Sequence, residues 1–294
     1  MSFAKTRMFG KTNECGHTKN TFDDIESNCI SLYKKYIEEN TNPYFEFKID
    51  NETGNIYLGR YIPNDEEERT IEIPSFVKIY ENNPFEGVTQ SLKVIYKNSL
   101  AINDFMSSLF KNYGGKKLDL SEFNTTGIEY MGNLFAGCEN LEELSISNFD
   151  TSSVMFMDYM FYGCKKLSSL DLSSFDTHKV FDMRTMFSGC ISLNELDLSS
   201  FDTCEVNNME EMFSDCCKLS SLDLSSFDTC RVRSMQSMFD GCSSLRELNL
   251  SSFNTGRVRN MDYMFNRCNS LPKIDLSNFD FSNIDDFKKI FGEN

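Results

Sequence analysis

The chain has 294 residues, of which 29 are basic and 45 are acidic, so its net charge is −16. Binding to duplex DNA or to an anionic membrane needs clustered Lys and Arg, so this balance argues against both and favours a protein partner with a basic surface. Alanine occurs only at Ala4, Ala101 and Ala136, which argues against a plain helical bundle. The hydrophobic fraction of 40% is that of a globular protein.

The amino end lacks the apolar segment of a signal peptide, and no window reaches the roughly 18 apolar residues of a membrane span. We therefore expect a cytoplasmic protein. The 11 cysteines are odd in number and accompany no export signal, so they are predicted to be reduced thiols.

Residues 1–70 show no repeat and are predicted to form a small α+β cap, with a helix at about 21–40 and a hairpin at about 44–61. A solenoid needs its end covered, which favours a capping role over a separate functional domain. Cys15, His17 and Cys29 could be part of a metal site, but structural zinc takes four closely spaced ligands. We expect no metal and no cofactor.

An eight-residue phrase recurs every 26 residues in the remainder of the chain. It reads LDLSEFNT at 118, LSISNFDT at 144, LDLSSFDT at 170, 196 and 222, LNLSSFNT at 248 and IDLSNFDF at 274, where a truncated final unit, 274–294, begins. Such regularity marks a repeat architecture, in which each unit buries its apolar face against its neighbours.

The two halves of each unit have different apolar periods. Leu170 and Leu172 alternate with polar residues, which predicts a short strand. The following apolar residues lie three or four positions apart, which predicts a short helical or 3₁₀ return segment; they are Val180, Met183, Met186, Phe187 and Cys190. The predicted fold is an α/β repeat solenoid with a ladder of parallel strands.

The phrase MFxxCxxLxxLxL resembles the leucine-rich repeats of the BspA-like bacterial surface proteins, in the 26-residue type found in mycoplasmas and gut bacteria. Residues 71–117 are similar to the same family in degenerate form, so the solenoid is predicted to span 71–294. The resemblance implies a right-handed leucine-rich-repeat coil, no enzymatic activity, and a role in adhesion or protein binding.

The strand ladder is predicted to present a row of acidic side chains to solvent. Successive units place them in register, one rung (about 4.8 Å) apart; the candidate partner-binding residues here are Asp119, Glu143, Asp171, Glu195, Asp197, Asp223 and Glu247. Like charges at this spacing repel each other, so the row either binds a basic partner or is a solvated face.

A second candidate surface is an apolar, aromatic patch on the return side of the second to fourth full units. It comprises Tyr130, Met155, Phe156, Tyr159 and Phe181. Exposed clusters of this kind mark interaction sites, and aromatic residues supply much of the binding energy at interfaces. Farther along, a basic patch of Arg231, Arg233, Arg257, Arg259 and Arg267 is predicted.

The repeating cysteines lie one per coil, so they cannot converge on one metal ion, and we expect them to be packing residues; they are Cys138, Cys164, Cys190, Cys216, Cys242 and Cys268. Only two histidines occur, which argues against acid–base catalysis.

The sequence therefore predicts a non-enzymatic binding protein. One form is an intracellular binder or inhibitor whose acidic face meets a basic surface, such as the nucleic-acid-binding surface of a nuclease. The alternatives are a BspA-like surface adhesin and an enzyme confined to residues 1–70.

Overall fold

Parallel strands contributed by successive repeat units form the backbone of the fold. The computed structural model describes residues 45–49, 56–61, 69–73, 83–96, 106–272 and 274–292, all within one unit, Asn42–Asn294. The predicted helix at 21–40 and Cys15, His17 and Cys29 lie outside the described residues.

The described strands belong to three sheets. Strands β1 (Phe45–Ile49) and β2 (Ile56–Tyr61) pair antiparallel, as in a hairpin. A four-stranded parallel sheet contains β3 (Arg69–Ile73), β4 (Leu92–Tyr96), β5 (Lys117–Asp119) and β6 (Glu143–Ser145) in that order. Strands β7 (Ser221–Asp223) and β8 (Glu247–Asn249) form the third sheet, also parallel.

The register of the ladder follows the sequence period. Leu92 lies beside Leu118, which lies beside Leu144, so neighbouring rungs are offset by 26 residues. Between β3 and β4 the offset is shorter, because Arg69 pairs with Leu92, which is 23 positions later (92 − 69). The parallel-strand solenoid predicted from the repeat is therefore present.

The return segments differ from the helical stripe that their apolar spacing suggests. Their amide groups alternate between two kinds of partner: Phe161 N donates to Met186 O of the next rung at 2.9 Å, whereas Met160 N donates to Met157 O at 3.3 Å. The second kind is the bond of a 3₁₀ turn, but positive φ angles at Tyr159 (58°) and Gly163 (68°) stop the turn from continuing. Among the described residues the helical element is one 3₁₀ helix, Phe287–Phe291.

The core of the solenoid is a column of stacked side chains. Phe rings of successive return segments have centroids 4.9 to 5.9 Å apart. They are Phe85, Phe110, Phe135, Phe161, Phe187, Phe213, Phe239, Phe265 and Phe291. The methionines of the stripe, such as Met183 and Met186, are fully buried beside them, as predicted. On the strand side Leu172 is buried, whereas Leu170 is only half-buried.

Buried threonines form a second ladder, which the sequence analysis did not identify. Thr177 Oγ1 donates to Asp202 O at 2.7 Å and accepts from Asp202 N at 2.8 Å. Thr151 makes the same two bonds to Asp176. Each threonine therefore ties its own rung to the next, which explains the Thr in the repeated phrase FDT.

Candidate functional site

Three corners of a regular coil are closed by side chains that accept a hydrogen bond from the backbone two residues ahead. In one unit Asp171 accepts from Ser173 N at 3.0 Å, Asp176 from His178 N at 3.2 Å, and Asp182 from Arg184 N at 3.0 Å. These are Asx turns, which supply the backbone with an acceptor where the chain changes direction. The residues equivalent to Asp176 make the same bond in their own units, at 2.9 to 3.1 Å; they are Asp150, Asp202 and Asp228.

The acidic row of the strand face is therefore partly structural. Asp119, Asp171, Asp197 and Asp223 each accept from the backbone of a serine two residues on, at 2.9 to 3.0 Å. In β8 the equivalent residue is Asn249, which makes the same bond at 3.1 Å. The charge is thus not needed for the turn. The Ser173 hydroxyl lowers the pKa of Asp171, and the amide of Ser199 lowers the pKa of Asp197, so both stay ionised.

The glutamates of the same row are not used in turns. Glu143, Glu195 and Glu247 are exposed. Glu143 forms an ion pair with Lys117 at 2.9 Å, and Asp119 lies 3.8 Å from Lys93, so the first rungs are partly neutralised. Glu195 and Glu247 make no ion pair with any described residue, and their carboxylates, unlike those of the aspartates, are also free of turn bonds.

The aromatic patch predicted on the return side is assembled in the structure. The rings of Tyr130 and Phe156 stack at 4.9 Å with an interplanar angle of 3°, and Phe181 follows at 6.5 Å from Phe156. Main-chain bridges join Tyr130 to Phe156 and Phe156 to Asp182, so the rings are held by the ladder itself. Tyr130, Met155 and Phe156 are half-buried, and Phe181 is 37% exposed.

Tyr162 belongs to the same rung as Phe156 and Tyr159 but was not among the predicted residues. It is 46% exposed, and its ring meets Tyr159 edge-on at 5.8 Å. Tyr159 is half-buried, and its positive φ of 58° places it at the turn. The repeat gave a signal for Tyr162, because the equivalent positions are small or polar in neighbouring units, such as Ala136 and Ser188.

Five of the six repeating cysteines are buried, as predicted, whereas Cys268 in the last full unit is half-buried, and they add an inter-rung bond. Cys190 Sγ donates to Phe161 O at 3.2 Å, and Cys216 Sγ donates to Phe187 O at 3.2 Å. Burial raises the pKa of Cys190 to about 12, so the thiol stays protonated. Cys204 and Cys230 are half-buried free thiols. Hydrogen bonding to Asp202 raises the pKa of Cys204, which makes it a poor nucleophile.

The predicted basic patch divides into two parts. Arg231, Arg233 and Arg257 line one open groove of about 750 Å³ together with Phe181. Arg267 lies instead in a different groove, where it pairs with Asp240 at 2.9 Å and with Asp215 at 3.1 Å. The prediction that Arg267 belongs to the same basic patch was therefore wrong, because its guanidinium forms ion pairs with those two carboxylates.

Within the described part of the chain, no group of three or more His, Cys, Asp or Glu side chains is arranged to hold a metal ion. Among the described residues, no helix is long and apolar enough to cross a membrane. His178, the histidine in the described region, lies exposed with Nδ1 2.6 Å from Asp176 Oδ1.

The chain is similar to two solved leucine-rich-repeat structures and matches one family. The chain is similar to a T. pallidum leucine-rich-repeat protein at 19% identity, covering 79% of this chain and 91% of that one, with a TM-score of 0.41. A Bacteroides ovatus leucine-rich-repeat protein is 18% identical over 81% and 82% of the two chains, with a TM-score of 0.34. No curated protein matches. Residues 104–222 and 207–294 match the family described as "Mycoplasma protein of unknown function, DUF285". This match bears out the resemblance to the BspA-like repeats of mycoplasmas. Because it extends over more than half of the chain, the chain belongs to the DUF285 family.

Proposed function

We propose that this leucine-rich-repeat protein is a non-enzymatic binding module that captures a protein partner on its return side. The observation that carries the proposal is the aromatic surface formed by Tyr130, Met155, Phe156, Tyr159 and Phe181, with Tyr162 beside it. We call these six residues the aromatic surface. Its rings contact one another in two groups, Tyr130–Phe156–Phe181 and Tyr159–Tyr162. Clusters of large apolar side chains that are partly open to solvent are typical of an interaction site.

Packing does not account for these rings. The core already holds its own unbroken Phe column, in which Phe161 and Phe187 stack at 5.6 Å and are fully buried. Phe156 and Phe181 lie outside that column and remain partly open to water. Exposed apolar area carries a hydration cost, which is recovered when a partner covers it.

The ladder also favours binding by reducing its entropic cost. Phe181 N donates to Met155 O at 2.8 Å, and Asn207 N donates to Phe181 O at 2.9 Å, so the main chain is fixed on both sides. Aromatic side chains have few rotatable bonds and present a large area, which suits them to be hot spots. A preorganised surface loses little freedom on binding.

The acidic strand face is the second candidate, and the observation that favours it is the unpaired charge of Glu195 and Glu247. A basic partner surface fits it, as in an intracellular inhibitor that covers the nucleic-acid-binding surface of an enzyme such as a nuclease. A surface adhesin is the alternative form of the same binding proposal. Cell fractionation of the native host, followed by surface-specific biotinylation, distinguishes the two.

A non-enzymatic role is supported by the state of the nucleophiles. Burial raises the pKa of the Cys190, Cys216 and Cys242 thiols, and hydrogen bonding to Asp202 raises the pKa of Cys204, so these thiols stay protonated. Activity would need a low-pKa nucleophile or an acid–base pair in a cleft.

The test is capture of partners from the native host by tagged protein, quantified by mass spectrometry. The variant Phe156→Ser/Phe181→Ser is compared with Ile191→Ser, which removes a similarly exposed apolar side chain (41%) from a site outside the aromatic surface. We expect the double variant to lose the specific partner and Ile191→Ser to retain it.

The strand face is tested in parallel with Glu195→Lys/Glu247→Lys. These two residues are chosen because they make no turn bond, whereas replacing Asp197 or Asp223 would also break the corner. Loss of the partner in this variant alone would transfer the binding site to the acidic face. Equal capture by all variants would contradict both surfaces.

A further inference from the structure

One position of the repeat, on the return side, carries an acidic side chain in the first of six consecutive rungs, apolar side chains in the next two and arginines in the last two. From the second of these rungs onward, each amide at this position donates to the carbonyl of its equivalent one rung earlier, at 2.8 to 2.9 Å. The residues are Glu129, Met155, Phe181, Asn207, Arg233 and Arg259. Because the backbone is in register, the side chains stand in one row, in which Asn207 separates the apolar pair Met155 and Phe181 from the arginines.

A groove lies beside the basic half of this row. Its lining includes Phe181, Asn207 and Arg233 of the row as well as Arg231 and Arg257, around a volume of about 750 Å³. The groove is open to solvent and combines one exposed ring with several guanidinium groups. Its shape suits an extended segment better than an enclosed small molecule.

The charge of the groove is opposite to that of the protein as a whole. Arg231 is paired with Glu205, which is also the one carboxylate in the lining. Arg233, Arg257 and Arg259 are exposed and form no ion pair with any residue in the described ranges. A chain of net charge −16 thus has three arginine side chains on two neighbouring rungs that pair with no carboxylate of its described part.

From this juxtaposition we infer that the groove binds an acidic, extended segment of the protein partner, with carboxylates on Arg233 and Arg257 and an apolar side chain against Phe181. The inference rests on the proposed function, because it assumes that the partner is a protein and it shares Phe181 with the aromatic surface. Guanidinium groups match carboxylates with paired, charge-assisted hydrogen bonds.

A nucleic acid is the less favoured ligand for the same groove. A phosphate backbone would meet the repulsion of a net charge of −16 at long range. Binding of single strands also relies on several aromatic side chains that stack successive bases, whereas this groove contains one, Phe181. A short acidic segment presents fewer charges and can place an apolar residue on that ring.

The test measures fluorescence anisotropy of a labelled peptide rich in glutamate that carries one phenylalanine. The variant Arg233→Gln/Arg257→Gln is compared with Lys218→Gln/Arg246→Gln, which removes the same charge from two exposed residues outside the groove. We expect the groove variant to weaken binding of the peptide about tenfold or more, and the control about twofold or less. Binding should also weaken as salt is added.

Three results would overturn the inference: no binding of the peptide by the wild-type protein, equal loss in the groove and control variants, or tighter groove-dependent binding of a labelled single-stranded oligonucleotide. Circular dichroism of each variant establishes that the fold is retained. The outcome is separable from that of the proposed function. If Phe156→Ser/Phe181→Ser loses the natural partner while Arg233→Gln/Arg257→Gln keeps it, the aromatic surface stands and the groove inference fails.

Discussion

The threonine ladder provides a quantitative test of how the rungs are held together. Thr177→Val keeps the size and the burial of the side chain but removes the hydroxyl, which makes two hydrogen bonds to the backbone of Asp202. A net hydrogen bond contributes about 0.5–1.5 kcal/mol, so the loss of two is expected to cost about 2 kcal/mol. For a domain of this size that corresponds to a fall of about 4–8 °C in the melting midpoint.

The assay is thermal unfolding followed by circular dichroism, with Thr177→Ser as the matched control. Serine keeps both hydrogen bonds and loses only a methyl group, worth about 1 kcal/mol when buried. The valine variant should therefore be the less stable of the two, although it is the more hydrophobic. If Thr177→Val melts at the wild-type temperature, or above Thr177→Ser, the ladder does not stabilise the coil as described.

Three further predictions concern the core, the turns and the thiols. Phe187→Ala should lower the free energy of unfolding in urea titrations by about 3–5 kcal/mol, because it interrupts the buried ring column. Phe181→Ala should change that free energy by about 0.5 kcal/mol or less, because its ring is exposed. Equal effects would contradict the placement of one ring in the core and the other on the surface. The pKa of Asp171 is lowered from its unfolded value of 3.8, so the ionised carboxylate stabilises the fold above pH 3.8, and this stability is lost as the pH falls through the folded pKa. Asp171→Asn copies the natural turn at Asn249, so it should fold at pH 7 and show a shallower decline of the melting temperature in acid. A decline as steep as that of the wild type would contradict this. At pH 8, alkylation followed by mass spectrometry should leave Cys190 unmodified in the native protein and modify it after unfolding, since its pKa is about 12; early native labelling would refute its burial.

The period of 26 residues was sufficient to predict the parallel ladder and the buried stripe, because stacking identical units leaves few other ways to cover Leu172 or Phe187. The conformation of the return segment was harder to predict. Its apolar spacing fits a helix and also fits turns that alternate with inter-rung bonds. The recurring Gly163 and Gly189, both with positive φ, were the available sign that no helix continues there.

Some features of the candidate sites could likewise be predicted from the sequence, and others could not. Five of the six residues of the aromatic surface could be picked out because Met155 and Phe156 break the repeat, and a departure from an otherwise regular pattern is visible in sequence. Tyr162, the sixth, was missed although it departs from the repeat as well. The turn bonds of Asp171 were not anticipated, although the phrase Asp-Leu-Ser is compatible with an Asx turn, because a carboxylate in solvent and a carboxylate in a turn have the same sequence. The separation of Arg267 from Arg233 depends on which carboxylates reach each guanidinium, and only coordinates show that.

The central claim, that a protein partner binds on the return side, is tested most directly by site-specific photo-crosslinking. A photoreactive phenylalanine analogue is placed separately at Phe181, at Ile191 and at Glu195, all of which are exposed, and the tagged protein is irradiated in the native host. The account predicts a single prominent adduct from position 181 and little from 191 or 195. An adduct formed from position 195 but not from 181 would contradict it and assign the binding site to the acidic strand face.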